Sequence, residues 1–305
     1  MINRENLMKT ETLEEAISLL FNRISTGRAC IFTQEAMTGC VAIEYDSLGK
    51  SGREETYKRI AEDFKRRTGC YGKNHLSFNV GSILEIGCGS GLLTTELAQQ
   101  TNSDKIIGLD ISGYMINLAQ SNLSRKSKEE IEKIKEFWER LPEYCKPSQG
   151  DYEKLERNPP IFNRIRFVMG SVYSLQDAGF QNINYIVCRN ALHRFQYPER
   201  ALKQMHQALS PTGKIYIRDL RRNANWKTVM ERIGEKRWQT QTLVEDYIGA
   251  MASMLTTDEL EKALHSLGIT SFEISDGRYI SDGIKSPDNI KEYEQDTEYV
   301  CIIQK

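Results

Sequence analysis

Short runs of apolar, mostly β-branched residues alternate with amphipathic segments through most of the chain after residue 80. These runs predict seven strands, at 82–86, 105–109, 164–169, 184–188, 214–217, 270–275 and 298–303. Segments of helical periodicity separate the first five. Continuous apolar strands joined by helices indicate a parallel sheet covered on both faces, because each crossover lays a helix back over the sheet.

Capping residues predict where two of the helices begin and end. Pro198 opens a helix that the turn at 210–213 ends. Thr256 and Glu259 have the spacing of a capping box, and Gly268 follows as the C-terminal stop. The last third of the chain therefore continues the alternation of helices and strands.

The first eighty residues have a different pattern. Apolar residues recur at helical intervals over 12–24, and a second helical stretch follows near 53–67. We therefore predict an N-terminal helical cap over 1–80, followed by the main α/β domain over 81–305.

Two parts of the main domain depart from a compact alternation. The charged segment 124–160 carries apolar residues at helical spacing and predicts a helical insertion. A solvated helix is the first interpretation, with a substrate lid or a dimer contact as alternatives. The segment 221–255 is predicted to be helical and to lie near the substrate site.

Composition limits the classes of function. The 305 residues are 39% hydrophobic and carry a formal net charge of -1, which argues against a dominant attraction to nucleic acid or to an anionic membrane. The N-terminal sequence lacks the apolar core of a signal peptide, and no apolar run is long enough to span a bilayer. The seven scattered cysteines contain no CxxC pair. We expect a cytoplasmic protein with reduced thiols and no metal site.

A glycine-rich turn follows the first predicted strand. Strand 82–86 runs into Gly87-Cys88-Gly89-Ser90-Gly91 and then into a helical segment, and Asp110 ends the next strand. Such a turn lets backbone approach a ligand, and a carboxylate at the second strand can accept hydrogen bonds from ribose hydroxyls. A dinucleotide fingerprint places its third glycine one residue later, where this chain has Leu92, so the nicotinamide interpretation is weaker.

The motifs resemble those of class I S-adenosylmethionine-dependent methyltransferases. Residues 84–91 look like motif I of that family, and 110–119 are similar to its second motif. Residues 167–172 resemble the third-strand segment that flanks the adenine. Residues 188–193 resemble the fourth-strand end that faces the transferred methyl group, and 210–215 resemble the turn and strand that follow.

The resemblance implies a Rossmann-like seven-stranded, mostly parallel sheet with one antiparallel strand near its edge. It places S-adenosyl-L-methionine over the carboxyl ends of the first, second and fourth strands. It assigns the methionine part to Glu85, Gly87, Cys88 and Gly89, the ribose to Asp110, one adenine face to Ile111 and Met115, and the adenine edge to Ser171 and Val172, with Gly170 and Asn190 completing the set. The family usually has an acid where this chain has Ser171, which shifts the expected adenine contact toward the backbone of Val172.

Several side chains are candidates for chemistry at this site. His193 follows the fourth strand and is the candidate general base for a hydroxyl acceptor; the alternatives are that it orients Asn190 or packs beneath the cofactor. From the cap, Tyr45 or Tyr57 would close over the methionine end, unless they are core anchors. The arginines in 218–222 would hold an anionic acceptor or bridge to surface acids.

Together these features favour a methyltransferase acting on oxygen or nitrogen of a small-molecule acceptor, with a homodimer left open. RNA or protein methylation is the alternative that the basic stretches 65–67 and 221–222 encourage. A noncatalytic protein that binds S-adenosylmethionine is a third interpretation, and an NAD-dependent oxidoreductase is a distant fourth.

Overall fold

The computed structural model describes the ranges 35–50, 54–70, 81–157, 162–224, 240–278 and 297–305, together with residues 28 and 228–229. The predicted helix at 12–24 lies outside these residues. Within them, no helix combines the length and the apolar character that crossing a membrane requires.

Among the described residues, seven strands form one sheet, as predicted. They are β1 Ser82–Ile86, β2 Lys105–Asp110, β3 Ile165–Met169, β4 Ile183–Arg189, β5 Leu209–Leu220, β6 Phe272–Asp276 and β7 Glu298–Gln304. Their order across the sheet is β3-β2-β1-β4-β5-β7-β6. Only β7 runs antiparallel to its neighbours, so the predicted Rossmann-like arrangement with one antiparallel strand near the edge is confirmed.

The described helices lie on both faces of this sheet. They are α1 Gly39–Lys50, α2 Glu54–Thr68, α3 Leu92–Gln100, α4 Gly113–Glu139, α5 Gln149–Arg157, α6 Pro198–Ala208, α7 Gln241–Ser253 and α8 Thr257–Ser266. Pro198 begins α6, and Thr256 and Glu259 form the predicted capping box of α8. Gly268 follows α8 at a positive φ of 72°, which confirms the predicted stop.

The structure corrects two sequence predictions. The charged segment at 124–160 is largely helical, as predicted, but its first part is the second half of the 27-residue α4, and only α5 is a separate helix. The predicted turn at 210–213 belongs instead to the irregular start of β5. Leu209 already pairs with Ile183, and the register shifts before Lys214 pairs with Tyr185.

Helix α2 covers one face of the sheet directly. Its Phe64 is buried and makes edge-on contacts with Tyr185 of β4 and Tyr216 of β5, with ring centroids 5.8 and 5.7 Å apart. Burial of such aromatic surface is a large stabilising contribution. The domain boundary at residue 80 stays a prediction, and α2 contributes to the same core as the sheet.

A buried charge network joins α2 to the far strands. Arg218 of β5 is fully buried; its Nε donates to Glu298 Oε2 at 2.8 Å, and its Nη1 lies 3.6 Å from Asp63 Oδ2. Tyr216 donates to the same Asp63 oxygen at 2.8 Å, and Arg67 donates to Asp63 Oδ1 at 2.9 Å. Buried charges require such partners, because an unpaired one is strongly destabilising.

Candidate active site

A cavity lies at the carboxyl ends of β1, β2 and β4, where the loops after these strands meet. Carboxyl ends of strands at a crossover point are the usual ligand site in open α/β sheets. Twelve of the thirteen residues predicted for the site line it: Tyr45, Glu85, Gly87, Cys88, Gly89, Asp110, Ile111, Met115, Gly170, Val172, Asn190 and His193.

Ser171 is the exception and does not line the cavity. Its hydroxyl accepts a hydrogen bond from the backbone N–H of Tyr173 at 3.2 Å and so caps the short 3₁₀ helix Val172–Ser174. The neighbouring Val172 does line the cavity. The geometry therefore favours Val172 over Ser171 for a contact at this end, while the roles predicted for the twelve lining residues stay predictions.

The three glycines of the turn after β1 have different reasons for being glycine. A Cβ on Gly87 would lie 2.4 Å from Cβ of Ala191, and a Cβ on Gly91 would lie 2.4 Å from Cζ of Phe167. These two positions serve close packing. Gly89, at φ +53°, would direct a Cβ into open space with nothing within 4 Å, and it lines the cavity. Gly89 is therefore the position where backbone can approach a ligand.

Asp110, the last residue of β2, is held by backbone donors. Its Oδ2 accepts from the N–H of Gly89 at 2.9 Å, and its Oδ1 accepts from the N–H of Ser112 at 2.8 Å. Burial raises the pKa of Asp110, and these two hydrogen bonds oppose that increase. Each carboxylate oxygen has a second lone pair, so the oriented group can still accept hydrogen bonds from a vicinal diol.

Glu85 on β1 is a buried acid beneath the same cavity. It is 3% exposed, and the hydroxyl of Thr94 donates to its Oε2. Burial raises the pKa of Glu85 from its ordinary 4.5 to about 8, against the opposing effects of Thr94 and Arg189. A carboxyl group in this state is neutral at pH 7 and becomes an anion when a cationic ligand lies beside it.

Asn190 occupies a strained position directly after β4. Its φ is +49°, a left-handed conformation that few residues other than glycine adopt, and its backbone N–H donates to the carbonyl of Arg218 at 2.9 Å. Its side-chain Oδ1 is buried and has no hydrogen-bond partner among the described residues. A buried acceptor without a donor is costly and indicates a position for a ligand N–H or O–H.

His193 lies in the 3₁₀ helix Leu192–Arg194 and is 4% exposed. Its Nδ1 is 2.8 Å from Oδ1 of Asp219, and its backbone N–H donates to Oδ2 of the same residue at 3.3 Å. Asp219 follows Arg218 at the end of β5, and no motif in the sequence indicated a role for it. Only the pairing of β4 with β5 brings the carboxylate next to the histidine.

Helix α7 forms another wall of the cavity through Leu243, Asp246, Tyr247 and Ala250, which share one helix face. Arg194 donates to Asp246 and joins α7 to the loop after β4. The predicted placement of the 221–255 segment beside the cavity therefore applies to α7.

Helix α1 lies beside α7 and supplies Tyr45. Thr240, at the start of α7, donates to Glu44 of α1 at 2.7 Å. Tyr57 of α2 also lines the cavity, and the guanidinium of Arg189 lies 5.4 Å from the centroid of its ring. Both tyrosines predicted from the cap therefore reach the cavity.

The segment 35–38 is bonded at the cavity to residues that follow β2, β3 and β4. Oε1 of Glu35 accepts from the backbone N–H of Gln196 at 2.7 Å and from the hydroxyl of Tyr173. Ser112 donates to the carbonyl of Met37 at 2.5 Å. Glu35 and Met37 line the cavity, and no motif in the sequence indicated them.

Arg218, near the end of β5, and Arg222, just after it, do not form the binding site for an anionic acceptor that the sequence allowed. Arg218 is buried between Glu298 and Asp63, both of which are themselves buried, so neither of the two interpretations describes it. Arg222 pairs with Glu259, as the alternative of bridging to acids predicts.

The order of the sheet, the glycine turn after β1 and the acid at the end of β2 define a Rossmann-like protein of the class I methyltransferase type. The sequence profile of the methyltransferase-domain family matches residues 53–272, which is most of the chain. The chain therefore belongs to this family, the class I enzymes that use S-adenosylmethionine as methyl donor.

Comparisons with individual proteins agree with this class. The chain is 29% identical over 128 residues to the demethylmenaquinone methyltransferase of Lactococcus lactis subsp. lactis, a match that covers 42% of this chain and 41% of that protein. The match thus spans less than half of that relative. The crystal structure of plantazolicin methyltransferase BamL has a TM-score of 0.59 at 15% identity, covering 96% of this chain and 99% of BamL. The structure of plantazolicin methyltransferase BpumL has a TM-score of 0.57 at 16% identity, covering 95% of this chain and 98% of BpumL. Both share the fold.

Proposed function

We propose that the chain transfers the methyl group of S-adenosylmethionine to oxygen or nitrogen of a small-molecule acceptor. The observation that carries the proposal is a cavity lined both by the predicted cofactor residues, such as Gly89 and Asp110, and by His193 and one face of α7. A cavity of this kind brings a bound cofactor and a compact acceptor into contact and excludes water from both.

The residues present fit this cofactor. Gly89 leaves open the space that any Cβ would fill, and Asp110 presents an oriented carboxylate to a diol. The buried Oδ1 of Asn190 is a ready acceptor for an ammonium or hydroxyl group. Glu85 would supply the balancing negative charge for a cationic ligand, because its carboxyl group is buried at the same turn.

S-adenosylmethionine, when bound, supplies an electrophilic methyl group that needs no further activation. The protein's task is then to align the acceptor and to exclude water, which accounts for much of the rate in such transfers. Tyr45 and Tyr57 would enclose the methionine end. His193 would accept the proton that a hydroxyl or ammonium acceptor must lose.

A small acceptor is favoured over RNA because the basic stretch 65–67 is paired with acids. Lys65 and Arg66 contact Glu62, and Arg67 contacts Asp63. Paired charges release few counterions from a nucleic acid and add little affinity for it. Two similar proteins are also named for organic compounds: one is a demethylmenaquinone methyltransferase, and BamL was crystallised with a desmethylPZN analog. Their names support an organic acceptor over RNA for this chain. We further propose a cytoplasmic location, which the scattered free cysteines favour.

The test is incubation of the purified protein with isotopically labelled S-adenosylmethionine and a metabolite extract, followed by mass identification of the labelled product. Label in a small organic compound is the expected result. Label in RNA or protein, with steep salt dependence of RNA binding, would replace the proposal by its alternative. Cofactor binding without any product would indicate a noncatalytic binding protein.

A further inference from the structure

The pair formed by His193 and Asp219 is the feature of the cavity wall with the most defined chemistry. Asp219 is fully buried, and both of its oxygens accept hydrogen bonds from the peptide backbone: Oδ1 from Leu220 at 2.8 Å and Oδ2 from His193 at 3.3 Å. The 2.8 Å contact between its Oδ1 and Nδ1 of His193 completes the arrangement. The carboxylate is thus fixed before it meets the imidazole ring.

A carboxylate beside a ring nitrogen favours one of the two tautomers of neutral histidine. An ionised carboxylate can only accept hydrogen bonds, so beside an ionised Asp219 the donor is Nδ1 of His193. In the neutral imidazole the other nitrogen, Nε2, is then an acceptor. His193 lines the cavity, which makes a proton acceptor of this kind relevant to a bound substrate.

We propose that Asp219 is a positioning residue that holds His193 in the Nδ1–H tautomer, so that Nε2 takes the proton of a hydroxyl acceptor with an apolar body. This inference rests on the proposed function and narrows its acceptor class. The hydroxyl proton moves to Nε2 and leaves an imidazolium beside Asp219. The acceptor oxygen forms a C–O bond with the donor methyl group while the methyl–sulfur bond breaks, and that electron pair stays on sulfur.

The cavity wall beside the pair indicates the rest of the acceptor. Leu220 follows Asp219 directly, and Leu243 and Ala250 of α7 line the same cavity. The charges of Arg194 and Asp246 offset each other in an ion pair. Leu220, Leu243 and Ala250 thus present apolar surface beside an ion pair without net charge, which suits an uncharged compound with an apolar body, such as a phenol.

A hydroxyl acceptor gives the pair a function that an uncharged amine would not require. An uncharged amine attacks through its own lone pair and loses its proton afterwards, whereas a hydroxyl oxygen is a poor nucleophile until its proton is being removed. A buried acceptor nitrogen oriented by a fixed carboxylate meets this requirement. His193 can act in this way although it is buried, because it contacts Asp219 and lines the cavity that would hold the acceptor.

The tautomer is measured directly by ¹⁵N nuclear magnetic resonance of the histidine-labelled protein at about pH 8.5, where free imidazole is neutral. A His193→Gln spectrum identifies the signals of His193. We expect the Nδ1–H tautomer in the wild type, and its loss in Asp219→Asn, because an amide can donate to Nδ1. An Nε2–H tautomer in the wild type, or an unchanged one in the variant, would overturn the proposal.

The reaction is tested with labelled S-adenosylmethionine and the matched probes 1-naphthol and 1-naphthylamine. We expect transfer to the naphthol at least about tenfold faster than to the amine. Asp219→Asn is expected to lower kcat for naphthol about 100-fold with little change in KM, in the range of general-base contributions. Preference for the amine, or no transfer to either compound, would overturn the hydroxyl assignment.

Controls separate this proposal from the function on which it rests. Calorimetric binding of S-adenosylhomocysteine tests the cofactor site alone, and its absence would remove the proposed function whatever the tautomer is. Intact folding of Asp219→Asn is verified by circular dichroism and by this affinity. Asp276→Asn makes the same substitution in a half-exposed aspartate that pairs with Arg278 at the end of β6, and it should leave both readouts unchanged.

Discussion

Binding of the cofactor should release a proton from Glu85. Burial raises the pKa of this carboxyl group from 4.5 to about 8, so the free protein holds the proton at neutral pH. A ligand carrying a sulfonium and an ammonium group beside Glu85 favours the anion and returns its pKa toward the ordinary value. Binding at pH 6.5 is then expected to release about one proton per site.

The affinity follows from the same linkage. Between about pH 5 and pH 8, the association constant for S-adenosylmethionine should rise roughly tenfold per pH unit, because one proton is released on binding. Each pH unit then corresponds to about 1.4 kcal/mol of binding free energy. Above about pH 8, Glu85 is already ionised in the free protein and the slope should vanish.

The assay is isothermal titration calorimetry at pH 6.5 in two buffers with different ionisation enthalpies. The apparent binding enthalpy should differ between them by the difference in buffer enthalpy, multiplied by about one proton. Glu85→Gln keeps the shape of the side chain but cannot ionise, so its binding enthalpy should not depend on the buffer. A wild-type enthalpy that is equal in both buffers would refute the reasoning.

Stability of the ligand-free protein should show the opposite pH trend. Because the folded-state pKa of Glu85 is raised, its stabilising contribution is complete below about pH 4.5 and is lost as pH rises through about 8, which Glu85→Gln should flatten in urea titrations. Gly89→Val should weaken binding of S-adenosylhomocysteine by at least about 100-fold, because its side chain fills the cavity, whereas Gly179→Val is also at a positive φ, of 80°, but at an exposed site, and should bind normally. Gly91→Ala should lower the free energy of unfolding by about 1–3 kcal/mol through its contact with Phe167, more than Gly268→Ala, which meets no atom within 4 Å. Glu298→Gln should cost about 3 kcal/mol by leaving buried Arg218 without its nearest anion, against little change in the exposed Glu273→Gln.

Much of the fold was predictable because its signals are local. The strands are short apolar runs, and the capping residues of α6 and α8 lie within one turn of the helix ends they determine. The two corrections concern how far a helix or a strand extends along the chain. Periodicity could not distinguish a separate helix at 124–160 from an extension of α4, and proline with glycine at 210–213 indicated a turn where an irregular strand forms.

The part of the site formed by sequence motifs could be predicted. The turn at 87–91 and Asp110 are adjacent because neighbouring parallel strands end at the same edge of the sheet. Asp219 and Glu35 could not be predicted, because their partners lie far away in the sequence. Asp219 contacts His193 only because β4 pairs with β5. Glu35 accepts a hydrogen bond from Gln196, in the loop before α6, which is 161 positions away.

Every role proposed for the site requires that the cavity beside Gly89 and Asp110 holds an adenosyl group. The most direct measurement is a crystal structure of the protein grown with S-adenosylhomocysteine. We predict that the two ribose hydroxyls donate to the carboxylate of Asp110 and that the ligand backbone passes over Gly89. Binding elsewhere, or a protein that fails to bind the compound at saturating concentration, would contradict the account.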